Sequence, residues 1–242
     1  MNQNWKLFDQ IMKEAQIVDL SPRIEHGMPK WPTHPQIIVD PTITHDHDGY
    51  YCQTLVMGEH SGAHVDAPAH IIPSMMDHTI DTYPANVICG PAIKYDLYKF
   101  DAKPGDRISK AQIESLEQEM GDQAGKDDIV LLNFGYQKYW TLDKGWKFYA
   151  MNEPGLDEDA VAMFADRKVK AVGSDTAACD TPVADGVEMK SFGHQTYWLP
   201  NEIFIIEMLM NLDKIPMRSF FIALPLNIKN GSGSPIRPIV LF

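Results

Sequence analysis

The sequence predicts an α/β fold that is rich in strands and built on one large mixed sheet. Three observations predict it. Short apolar runs closed by glycine, proline or aspartate outnumber the helix-patterned segments. Two helical patterns separate the central runs, which places helices against a sheet. No repeat, low-complexity tract or obvious linker divides the 242 residues, so 1–242 is expected to form a single domain.

The elements follow in order. Trp5, Phe8, Met12 and Ala15 recur at helical spacing, so residues 1–16 are expected to carry a short amphipathic helix that docks or contacts a second copy. AQIVDLS is a first strand, and the proline-rich SPRIEHGMPKWPTHP must be a loop. PQIIVDPTIT and YYCQTLVMG are two further strands, with THDHDG a solvated loop between them. VICGPAIKYDL is another strand.

SKAQIESLEQEM is a helix, with Ser109 as cap, Gln112 three residues on, and Ile113, Leu116 and Met120 on one face. DDIVLLNFG reads as a strand buried on both faces. LDEDAVAMFADR is a second helix, with acids in its first turn and Arg167 in its last, as the helix dipole favours. VKAVGSD, EIFIIEMLMNL, SFFIALPLNI and PIRPIVLF are further strands or apolar runs, and KNGSGSP is a turn.

A formal net charge of -12 argues against nucleic-acid binding and against docking on anionic membranes. Cys52, Cys89 and Cys179 are odd in number and form no CxxC, which fits reduced thiols in a cytoplasm. The N-terminus shows no signal-peptide pattern, and no run reaches the roughly 20 apolar residues of a membrane span.

Residues 60–70 read HSGAHVDAPAH and hold three of the nine histidines. His60, His64, Asp66 and His70 occupy even positions, which an ideal strand would set on one face. A fully extended chain from 60 to 66 would span roughly 20 Å, whereas one metal ion holds its ligands at about 2.0–2.2 Å. The chain must turn back on itself. Gly62 permits this, Pro68 disfavours a continuing helix, and Ala63, Ala67 and Ala69 keep bulk out of a tight loop.

A helix would pair His60 with His64 but send Asp66 elsewhere, so a strand-end loop wrapped around a metal is the expectation. Two imidazoles and a carboxylate leave positions open for water or substrate, and suit zinc, manganese or iron. A divalent metal there lowers the pKa of bound water toward about 7 and polarises a carbonyl. His70, just beyond the ligands, is placed to carry a proton.

HSGAHVDAPAH resembles the H-x-G-T-H-x-D-x-P-x-H signature of the cyclase family of metal-dependent hydrolases, which includes bacterial kynurenine formamidases and isatin hydrolases. IVDLS, the WP at 31–32, GPAIKYDL, the GSDT at 173–176, EMLMNLDKIP and PLNIKNGSGSPIRP also fit the family pattern. The resemblance thus covers most of the chain from about Ile17.

The resemblance implies a swivelling β/β/α fold, commonly dimeric. It implies His60, His64 and Asp66 as metal ligands and His70 as the catalytic histidine. In two-metal members the aspartate bridges to a second ion held by a downstream histidine and glutamate. His194 and Glu207 occupy that stretch here, with Glu202 as the alternative glutamate. Glu207 also lies in an apolar run, where an unpaired carboxylate is costly. Ala63 replaces the family's threonine, which loses no ligand but removes a hydroxyl that could orient one.

The implied activity is hydrolysis of an amide, formamide, lactam or lactone by attack of metal-bound hydroxide, with Zn2+ or Mn2+ as cofactor and a small molecule as substrate. The rivals are a lyase or isomerase using the same metal, and a non-catalytic small-molecule-binding relative. Trp31, Phe192 and Trp198 are candidates to line an aromatic substrate pocket, against core or interface packing. Cys179 has no neighbouring base in sequence and reads as a structural thiol.

Overall fold

The computed structural model describes residues 3–242. From the N-terminus run α1 (Asn4–Glu14) and β1 (Ile17–Asp19). β2 (Ile38–Ile43) leads through the short α2 (His45–Asp48) into β3 (Cys52–Val56), with which it forms a separate hairpin. β4 (His64–Asp66), β5 (Cys89–Tyr95), β6 (Arg107–Ile108) and α3 (Lys110–Met120) follow. Next come β7 (Ile129–Leu132), α4 (Trp146–Met151), β8 (Gly155–Leu156), α5 (Glu158–Asp166) and β9 (Ala171–Ser174). β10 (Val183–Ala184) and β11 (Val187–Glu188) pair before β12 (Phe204–Glu207), β13 (Arg218–Ile222), β14 (Gly233–Pro235) and β15 (Ile239–Leu241).

Nine strands make one sheet in the order β1-β15-β13-β5-β7-β9-β12-β4-β14. β5, β7, β9 and β12 are mutually parallel and form its centre. β13, β15 and β1 extend one side antiparallel, and β4 and β14 the other. The predicted α/β class with a mixed sheet holds.

Strand alternation explains the two cores. In β7, Val130 and Leu132 face the helices with Ile113, Leu116 and Phe164, while Ile129 and Leu131 face the other side with Ile206, Phe221 and Val240. α3 begins as predicted: Ser109 Oγ accepts from Gln112 N, and Gln112 Oε1 accepts from Ser109 N at 2.8 Å. α5 is capped by Asp157, which accepts from Ala160 N at 2.8 Å.

Arg167 departs from its predicted role. It sits just past α5, and its guanidinium pairs with Glu117 of α3, whose Oε1 also accepts the Tyr95 hydroxyl at 2.6 Å. A planar fork is better used on a carboxylate than on a helix end, and the pair ties both helices to β5.

Other departures are local. THDHDG is not all loop, because His45–Asp48 close one exposed helical turn. α4 carries no helical signal strong enough to predict. KNGSGSP turns at 229–230, but Gly233–Pro235 then pair with β4. His64–Asp66 are a strand, not a loop, because β12 and β14 pair with them on both sides. α1 forms, but none of its residues is buried. Residues 1 and 2 of the predicted docking segment lie outside the described residues. Among the described residues no helix is long and apolar enough to cross a membrane.

Candidate metal centre

The register of two strands assembles the centre. Glu207 of β12 stands opposite His64 of β4, and Ile205 opposite Asp66. Residues paired across strands share a face, so His64, Asp66 and Glu207 project together where the parallel strands β9 and β12 end. The carboxyl ends of parallel strands are where open α/β sheets place their ligands.

His60 reaches this face by the bend expected at Gly62, whose φ of +63° favours glycine. A Cβ on Gly233 would lie 2.6 Å from His60 Cε1 and 2.5 Å from Val65 O, so the ring fits only over a bare backbone. His194 arrives from a π-helical turn, Gly193–Tyr197.

The donor atoms surround one buried space. His64 Nε2 is 3.3 Å from Glu207 Oε2 and 3.5 Å from Asp66 Oδ1. His194 Nε2 is 3.2 Å from Glu207 Oε1 and 3.5 Å from Asp66 Oδ2. Two donors bound tetrahedrally to one cation at 2.0–2.2 Å would stand about 3.4 Å apart, so these spacings match ligand edges. Asp66 Oδ2 and Glu207 Oε1 are buried and make no hydrogen bond within the described residues. Buried carboxylate oxygens without partners are costly unless a cation meets them. Among the described residues two sets satisfy the spacing of a metal site: His60, His64 and Asp66, and Asp66, His194 and Glu207.

Hydrogen bonding settles which ring nitrogens are available. Gly62 O accepts from His64 Nδ1 at 2.7 Å, which turns Nε2 toward the acids as the nitrogen open to a metal. Asp180 Oδ1 does the same for His194 Nδ1 at 2.7 Å. Ser232 Oγ donates its one proton to Glu59 Oε2 at 2.7 Å, so it accepts from His60 Nε2 at 2.9 Å. His60 Nδ1 then faces Asp66 Oδ1 at 2.5 Å, a contact that requires a proton or a cation. All three rings thus turn one nitrogen toward the acids, and the residues present could hold a divalent metal.

The electrostatics point the same way. Burial opposes protonation of His194, but Asp180, Asp66 and Glu207 outweigh it and hold the imidazole well above its usual value. His64 is raised against burial by Glu207 and Asp66. Burial opposes ionisation of Asp66, yet His60 and His70 help hold it well below the usual carboxylate range. The cluster is short of positive charge.

A cavity of about 220 Å³ opens onto these donors and is lined by Trp31, His34, His70 and Ser191 among others. The His70 ring lies 3.9 Å from that of His60, centroid to centroid. Burial pushes its imidazole down to about 4, with His60 and His194 adding to the effect against Asp66.

Two predicted aromatics lie elsewhere. Trp198 is fully buried, with Nε1 donating to Val161 O at 2.9 Å, so it fills the core beside α5 and not the cavity. Phe192 is absent from the cavity wall; its ring packs against two cations, Lys190 at 4.6 Å and Arg107 at 4.9 Å. Glu202, the alternative glutamate, is exposed and bonded to His78 and Tyr83. Cys179 is fully buried, and burial pushes its thiol well up, as a structural thiol requires.

Asp180, Ser191, Ser232 and His34 carried no signal of their own in the sequence. Asp180 lies 14 residues before His194, a separation with no periodic meaning.

Such a centre, at the strand ends of a mixed α/β sheet, defines a metal-binding protein with a substrate-sized opening. The Cyclase family model, described as "Putative cyclase", matches residues 18–181, and the chain belongs to that family. The chain is 30% identical over 220 residues to the isatin hydrolase of Roseibium aggregatum, covering 86% of this chain and 81% of that one. It is 23% identical over 239 residues to the kynurenine formamidase of Bacillus mycoides, covering 95% and 99%. It superposes with a TM-score of 0.82 and 25% identity on a crystal structure of an isatin hydrolase bound to the product analogue thioisatinate, covering 100% of this chain and 99% of that one.

Proposed function

We propose that the chain is a metal-dependent hydrolase that opens a non-peptide C–N bond of a small formamide, lactam or related amide. The observation that carries this reading is the pair of unpartnered buried oxygens on Asp66 and Glu207, facing imidazole nitrogens at ligand spacing beneath a cavity walled by His70. Kinship with an isatin hydrolase and a kynurenine formamidase supports it.

His60, His64 and Asp66 would hold one ion, and Asp66, His194 and Glu207 a second. Imidazole and carboxylate donors suit Zn2+ or Mn2+. When bound, a divalent ion lowers the pKa of water toward about 7 and polarises a substrate carbonyl. His70 is neutral at pH 7, and no hydrogen bond ties its ring within the described residues. It takes a proton from the attacking water and returns it to the leaving nitrogen. Trp31 offers an aromatic face on the wall. A cavity this small, below the ~300–1,000 Å³ of drug-sized pockets, suits a substrate of one or two rings.

The reading extends to assembly. α1 exposes Trp5 and Phe8, each at 65%, and the β2–β3 hairpin exposes Tyr50, Tyr51 and Leu55. A second copy of the chain covers these surfaces in our reading, as exposed patches of this kind favour. Sedimentation would read a dimer or larger, and a concentration-independent monomer would reject it. Three unpaired cysteines and the acidic surface support a reducing, cytoplasmic setting without nucleic-acid or membrane partners.

The test is turnover of isatin, N-formylkynurenine and simple lactones with Zn2+ or Mn2+. Hydrolysis adds the mass of one water to the products taken together, in one molecule for an opened ring and split with formate for a formamide, whereas a lyase or isomerase does not. His70→Ala should retain metal and lose about 10²–10⁴-fold in kcat. No turnover of any C–N substrate with either metal would reject the reading.

A further inference from the structure

The WPTHP stretch folds into a clasp over the cavity. Lys30 is 7% exposed, and its ammonium donates to three carbonyls of this one loop: Trp31 O at 3.3 Å, Pro32 O at 3.1 Å and His34 O at 2.6 Å. An ammonium has three N–H donors, so Lys30 is fully committed to shaping the loop. His34 N closes it by donating to Trp31 O at 3.0 Å.

The loop holds His34 in the cavity wall, with its ring centroid 5.8 Å from that of His60. His34 Nδ1 lies 3.2 Å from the backbone oxygen of His60. A carbonyl only accepts, so Nδ1 carries the proton, and Nε2 of the neutral ring is left as an acceptor. Nothing else described in the structure uses that nitrogen. A fixed acceptor in a cavity selects for a substrate that brings an N–H donor. His34 is half-buried, and an acceptor held at one place favours the substrate that brings its donor over the analogue that lacks it.

We propose that His34 is a specificity-determining residue whose Nε2 accepts the N–H of the scissile amide or lactam. This rests on the reading that the site opens a C–N bond. Lys30 acts through His34 as a positioning residue.

The test compares isatin, a lactam bearing N–H, with N-methylisatin, at pH 8 where an ordinary imidazole is neutral. Wild type should prefer isatin in kcat/KM by about 10-fold or more, and His34→Ala should collapse that ratio by about 10-fold. His34→Gln, which can return an acceptor oxygen near the Nε2 position, should restore part of the ratio. Metal affinity, measured by chelator competition, should stay within about 2-fold in both variants. An unchanged ratio, or a loss of metal that lowers both substrates equally, would overturn the proposal. If wild type hydrolyses neither compound, the hydrolase reading fails separately. Calorimetric binding of the same two compounds then decides the inference: a preference for isatin lost in His34→Ala supports it, and equal binding overturns it.

Discussion

Asp180 Oδ1 accepts a hydrogen bond from His194 Nδ1 at 2.7 Å and so turns the opposite nitrogen toward Glu207 and Asp66. The carboxylate orients a ring it shares no sequence neighbourhood with. Asp180→Asn keeps a single acceptor oxygen for two donors, so its NH2 must face either His194 Nδ1 or Gly193 N. It should weaken metal binding about 10–100-fold, the usual effect of losing such a partner. Chelator competition measures this, and an unchanged affinity would show that the π-helical turn alone orients His194.

Glu207 brings a buried carboxylate whose Oε1 has no hydrogen-bond partner in the described residues. Adding metal at 100 times its dissociation constant should stabilise the wild type by about 2.7 kcal/mol, and a chelator should reverse this. Glu207→Gln should lose most of that shift, because the carboxylate that faces His64 and His194 at 3.3 and 3.2 Å is gone. Differential scanning fluorimetry with and without chelator reads both.

Trp198 separates core from pocket. Trp198→Ala should destabilise the fold by about 3–5 kcal/mol, the cost of emptying a buried indole, and should leave the preference among substrates intact. Urea unfolding gives the first number and substrate ratios the second. A shift in preference without loss of stability would return Trp198 to the cavity.

Acid stability has a local source at the start of β13. Arg218 donates to Asp122 at 2.8 and 2.9 Å, and its hydrogen bonds pull the Asp122 carboxyl from 3.8 to about 2. A depressed carboxylate contributes stability that is fully present above pH 3.8 and is lost as pH falls through about 2. The wild type should therefore exceed Asp122→Asn by a constant margin at pH 5–7, and the margin should shrink between pH 4 and 2. Urea midpoints across that range check it. The effect is small, because the pair is partly exposed.

Much of this was legible because it is local. The Ser109–Gln112 box needs only residues three apart, and the buried reading of IVLL at β7 needs only its composition. The bend at Gly62 followed from a length argument: ligands six residues apart cannot meet on a straight strand. What failed was also local in form but tertiary in cause. Arg167 left the helix dipole for Glu117, and Gly233–Pro235 became a strand because β4 needed a partner.

By itself, the sequence determined the α/β class, the histidine cluster with Asp66 as its acid, and the family to which both belong. Only the tertiary structure decided that Glu207 stands opposite His64, that Asp180 and Ser232 choose the nitrogens offered to a metal, that His34 faces the cavity and that Trp198 does not. Periodicity and capping act over a few residues, so one strand or turn reports them. A ligand set closes only when strand register brings together residues more than a hundred positions apart, and no spacing along the chain encodes that contact.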